Sequence, residues 1–246
     1  MKTLSNHESG RPAGPTSRDA ENAEGRSGVV GNERMTALAG VVLLVLLLIE
    51  LISSVSLHAG MAIHIVVGVL LSCPLLVKLA STGYRFLRYY TRAPAYVRKG
   101  PPSLPRRLLA PLLVVTTLLV VGSGMGLVVT GPTNAGLLMR LHDLSVLLWI
   151  SLIALHVGAY LWRAPRLVAD DWRKPSDRSL ISGRKIRLGV NIGAGLSGAV
   201  VAMILFPGVA PWVTWSQANQ KISSPVVVGL VIAAVASVSS RPWKWK

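Results

Sequence analysis

An all-α integral membrane protein is the fold class this chain predicts, and three observations predict it. Hydrophobic residues make up 51% of its 246 positions and charged residues only 15%. Mean hydropathy is +0.52. Six apolar segments recur along the chain, and Lys and Arg gather in alternate loops between them. Together these exclude an ordinary soluble domain. The formal net charge of +16 is not a nucleic-acid footprint, because the basic residues flank apolar runs, which is how membrane topology is written.

The elements follow in order. Residues 1–34 are rich in Gly, Ser, Pro, Asn and charge and are expected to be a disordered cytoplasmic tail. They are too polar, and too long before the first apolar run, for a cleaved signal peptide. Residues 35–162 hold four apolar segments, 36–57, 59–80, 108–129 and 137–162. Each is long enough to cross a hydrocarbon core of about 30 Å. Pro101, Pro102 and Pro105 are expected to stop any helix before the third span begins. Residues 163–187 form a basic loop, and residues 188–246 carry two shorter apolar segments, 188–205 and 225–238. The first four segments read as a four-helix core and the last two as a C-terminal transmembrane appendage. The lone cysteine, Cys73, lies inside the second span and serves packing.

Loop charge sets the orientation. Arg85, Arg88, Arg92, Arg98, Lys99, Arg106 and Arg107 stand between the second and third segments without an acidic residue. The loop after the fourth is also basic, whereas the alternate connections are nearly uncharged. The positive-inside rule then gives six spans with both termini cytoplasmic.

With that topology, His64 and His142 each lie about one turn below the outer end of a span running the same way, as two axial haem ligands on separate helices require. His156 follows His142 by fourteen residues, about 21 Å along the helix axis, and sits near the cytoplasmic end. Gly68, one turn after His64, and Gly124, within Gly-Ser-Gly-Met-Gly near the outer end of the third span, allow a porphyrin face or a neighbouring helix to approach closely. Arg140 is placed to pair with haem propionates, while Asp143 either neutralises Arg140 or accepts a histidine N–H.

Fourteen residues beyond His64 stands Lys78 rather than a second histidine. Lys78 either snorkels to the headgroups, or frames a proton or quinone site with His156, or leaves His156 to find a haem partner elsewhere. Glu50, an intramembrane carboxylate in the first span, is a candidate for proton exchange with a quinone or a bond to a ligand histidine; otherwise it is a protonated helix-packing group. Trp149 lies midway between His142 and His156, and His58 is either a surface residue at the outer turn or a fallback ligand.

Residues 36–162, through His64-x-x-x-Gly68 and His142-x13-His156, resemble bacterial membrane cytochromes b with a four-helix haem-binding core. That broad group takes in cytochrome-b-type, ferric-reductase-like and dehydrogenase gamma-subunit-like families. The stretch KLASTGYRFLRYY at 78–90 is similar to uncharacterised actinobacterial membrane proteins of this kind. The resemblance implies that His64 and His142 ligate haem b and that His156 matches an inner ligand. It also implies electron exchange between quinone or quinol and an extracytoplasmic or membrane oxidoreductase subunit, in a bacterial plasma membrane. Lys78 departs from the pattern at the inner level, so one haem is expected rather than two.

The expected function is therefore a membrane b-type cytochrome, the electron-transfer subunit of an oxidoreductase. The rival expectation is a non-haem transporter subunit or scaffold that uses its intramembrane His, Glu and Lys for packing or proton movement. No Ser–His–Asp set, Walker loop or metal-protease helix points to a conventional enzyme.

Overall fold

Helices account for nearly all of the described chain, as expected where every backbone polar group within a bilayer must be satisfied internally. The computed structural model describes residues 17–100, 104–160, 163–172 and 183–219, together with positions 227 and 229. Nine α-helices occur among them: α1 (Ser17–Val55), α2 (Leu57–Leu70), α3 (Ser72–Tyr90), α4 (Pro94–Lys99), α5 (Leu104–Thr130), α6 (Gly136–Tyr160), α7 (Arg163–Trp172), α8 (Arg184–Leu205) and α9 (Val209–Asn219). Five stretches are long and apolar enough to cross a membrane: Ser27–Val55, Leu57–Tyr90, Arg107–Thr130, Gly136–Gly158 and Arg184–Asn219. The expected sixth span, 225–238, lies outside the described residues apart from two positions.

Three expectations need correction. Residues 17–34, read as part of a disordered tail, are helical, because α1 runs unbroken from Ser17. Its polar start is anchored by Glu33, which pairs with Arg85 of α3 at 3.5 Å and with Lys99 of α4, and by Val29, which packs with Ala93 and Tyr96. The arginine-rich connection after the second span carries the short helix α4. Pro105, expected to stop a helix, instead falls in the first turn of α5, where a missing N–H costs nothing.

Helices α8 and α9, at the place of the expected fifth span, are not an appendage. Ala202 of α8 and Val209 and Trp212 of α9 share one core with Met61, Ile65 and Val69 of α2 and Leu127 and Val128 of α5. Trp212 donates its indole N–H to the Leu127 carbonyl at 2.9 Å. The second span is split at Leu71 into α2 and α3. Pro74, fully buried, has no N–H to give the Leu70 carbonyl, and its ring crowds that oxygen. At this break Gly198 of α8 comes so near that a side chain there would collide with the Leu70 oxygen.

Two antiparallel hairpins position the remaining groups. In the first, α1 lies along α2 and α3, touching at Ser53 with Gly60, Glu50 with Gly68 and Gly40 with Lys78. Thr36 and Ser81 exchange a hydroxyl hydrogen bond of 2.8 Å along the same seam. In the second, α5 lies along α6, with Gly124 against His142 and Gly126 against Leu138. Gly131, at φ 72°, makes the turn between them.

Candidate functional site

The two hairpins bring His64 and His142 together. Their ring centres are 6.3 Å apart and the ring planes cross at 72°. His142 is held at Nδ1. His142 donates Nδ1–H to the Val120 carbonyl at 3.1 Å, and Ser123 Oγ lies 3.0 Å from the same nitrogen. Because Ser123 gives its own proton to the Leu119 carbonyl at 2.5 Å, its oxygen is free to accept from the imidazole. A backbone carbonyl only accepts, so the proton sits on Nδ1 and the lone pair on Nε2.

His64 has a carboxylate beside it instead. Its Nδ1 stands 2.8 Å from Glu50 Oε1. The approach is off the line of an N–H···O bond, leaving His64 Nδ1 and Glu50 Oε2 buried without a hydrogen-bond partner. Both side chains are largely shielded, at 23% and 17% exposure. The carboxylate is therefore poised to orient or polarise His64 after a small ring rotation.

The glycines divide the work. A Cβ at Gly124 would come within 3.2 Å of His142 Cε1, so this glycine lets α5 support the ring. A Cβ at Gly68 would stand 3.1 Å from Glu50 Oε1, so Gly68 makes room for the carboxylate rather than for the imidazole. Arg140 is exposed and does not line the cavity around the histidines, whereas Asp143 does.

That cavity, of about 1620 Å³, is lined by Glu50, His64, Gly124 and His142, and it also reaches Trp149, His156 and Lys78. It exceeds the roughly 300–1,000 Å³ of ordinary small-molecule sites. His142, Trp149 and His156 stand seven residues apart on α6 and all reach it, as a helical stripe requires. Trp149 is fixed by an N–H donated to Thr117 Oγ1 at 2.8 Å. Lys78 donates to the Thr36 carbonyl at 3.4 Å, its ammonium lying over Gly40, where a Cβ would be 2.8 Å away. His58 is exposed at the cavity's rim.

Sequence reasoning missed Ser123, Thr117 and the Val120 carbonyl. Ser123 sits inside the Gly-Ser-Gly-Met-Gly run, whose glycines drew the attention. An intramembrane hydroxyl bonded back to its own helix is the usual arrangement, and only the partner helix reveals that it also holds an imidazole. Among the described residues no three His, Cys, Asp or Glu side chains converge as an ion-binding group. The site offers two imidazoles, which suits the two axial positions of a haem better than a four-ligand tetrahedral ion. Comparison with protein-family models, with curated proteins and with solved structures finds no match to this chain.

Proposed function

We propose that this protein is a membrane electron carrier that holds one haem b between His64 and His142. The observation that carries the reading is the 6.3 Å separation of the two rings. Two imidazoles that shared one metal through nitrogen bonds of about 2.0 Å would have their ring centres roughly this far apart. The Nδ1 contacts to Val120 and Glu50 support it, because a ligating histidine characteristically gives its other nitrogen to a carbonyl or carboxylate.

Haem bound there supplies a one-electron couple. The chain's own residues set its conditions. Val120 and Ser123 hold His142 in the tautomer that presents Nε2, and Glu50, once hydrogen-bonded to His64 Nδ1, would raise the ligand strength of that imidazole. We place six spans in a bacterial plasma membrane with both termini in the cytoplasm, which puts this pair toward the outer face. Quinone or quinol and an oxidoreductase subunit are the redox partners in this reading.

The contact between Glu50 and His64, with Lys78 and His156 on the same cavity, favours a second reading in which these groups carry protons in a non-haem membrane protein. An optical spectrum separates the two. Protein purified from haem-replete cells should show the reduced bands of six-coordinate haem b, absent in His64→Ala and His142→Ala and retained in His58→Ala and His156→Ala. Glu50→Gln should keep the bands while lowering haem affinity about 10- to 100-fold. A colourless, folded wild-type protein would overturn the haem reading and leave the proton reading standing.

A further inference from the structure

The end of the cavity away from the histidine pair has a different chemistry. Lys78, Arg85, Lys99 and Arg107 all line it there. Glu33, the carboxylate at the same end, is engaged by Arg85 and Lys99. Lys78 stands seven residues before Arg85 on α3, about 10 Å deeper into the apolar span. Its one described hydrogen bond is to the Thr36 carbonyl, and none of the ion pairs among the described residues involves it. A lysine at that depth is costly unless an anion meets it. Beyond it the walls are apolar, formed by Leu44, Leu75, Leu113 and Val114. A cationic mouth opening onto an apolar shaft is complementary to one kind of molecule, an acyl chain with an acidic head.

We infer that this end of the cavity binds a long-chain anionic lipid, its acidic headgroup held by Lys78 below the mouth arginines and its chain in the shaft. Gly40 is the second element of the site. With no Cβ it lets the ammonium lie against α1, where Thr36 orients it. The headgroup charge comes either from a phospholipid phosphate or from a free fatty-acid carboxylate. The inference is independent of the haem reading, because it uses neither His64 nor His142.

The test is native mass spectrometry of the full chain, delipidated in mild detergent and titrated separately with phosphatidylglycerol, phosphatidylcholine of the same chains, and oleate. One tightly held phosphatidylglycerol, preferred at least tenfold over phosphatidylcholine, identifies a phospholipid; retention of oleate instead identifies a fatty acid. In Lys78→Met the preference should fall at least tenfold. Gly40→Ala keeps the charge but displaces the ammonium, and should weaken binding several-fold, so it decides the matter if Lys78→Met does not fold. Equal retention of phosphatidylglycerol and phosphatidylcholine with no oleate bound would overturn the inference, as would wild-type preference in a folded Lys78→Met protein. Haem content, read in the same spectra, should not change with either substitution.

Discussion

Replacing Gly198 by alanine should destabilise the protein, whereas the same change at Gly193 on the same helix should not. A Cβ at position 198 would overlap the Leu70 carbonyl oxygen and lie 3.1 Å from its carbon and 3.4 Å from its Cα. These are backbone atoms at the break between α2 and α3, so no side chain can rotate away. Relief requires α8 to move off α2. Overpacking of this kind costs about 1–3 kcal/mol. At Gly193, which is exposed, nothing lies within 4 Å of the added carbon, and alanine brings only its helix-propensity advantage, up to about 1 kcal/mol. Since Gly198→Ala gains the same advantage, the difference between the variants isolates the contact. For a chain of this size, 1 kcal/mol moves Tm by roughly 2–4 °C, so the two melting temperatures should differ by roughly 2–12 °C. Thermal unfolding in detergent, followed by the reaction of a thiol dye with Cys73, measures it, because this cysteine is half-buried in α3 and has no competitor in the chain. Equal melting temperatures, or a more stable Gly198→Ala, would refute the packing of α8 on Leu70.

Two further outcomes follow from single contacts. Trp149→Phe and Thr117→Val each remove the 2.8 Å bond between α5 and α6 and should each cost about 0.5–1.5 kcal/mol; the double variant should cost little more than the worse single one, and full additivity in the same thermal assay would show that the bond contributes nothing. Burial, reinforced by neighbouring Tyr84, holds the Tyr96 phenol above the ordinary tyrosine range. Its contribution to stability is therefore complete below about pH 10 and is lost as pH rises through the higher folded value. Unfolding followed from pH 8 to 11 should show a decline that Tyr96→Phe flattens; an unchanged slope would mean that Tyr96 ionises as freely in the folded chain as in the unfolded one.

Much of the site was legible because intramembrane polar residues are few and expensive. His64, His142, Glu50, Lys78 and His156 stand out against apolar neighbours, and helical periodicity at a known rise gives their depth. All five reach one cavity, and the histidine pair meets across it. Arg140 and Gly68 show the limit of such reasoning. Depth does not give azimuth, so an arginine at the right level points away, and a glycine thought to clear space for a ring clears it for Glu50. The helical order of residues 17–34 was hidden for a related reason: their composition is that of a solvated tail, but Val29 and Glu33 find partners on α3 and α4 that are more than fifty residues away in sequence.

By itself, the sequence determined that the chain is helical and suited to a membrane, because hydrophobic length and backbone hydrogen bonding leave a long apolar segment few alternatives. It also determined which polar residues stand at which level along their helices. Only the tertiary structure decided which of them meet. The hairpins set Ser123 and Val120 behind His142 and Glu50 beside His64, Gly198 meets Leu70 at the Pro74 break, and α8 and α9 join the core. Those outcomes depend on how the helices rotate about their axes and where their backbones come close, which small residues on distant segments settle jointly and no single segment encodes.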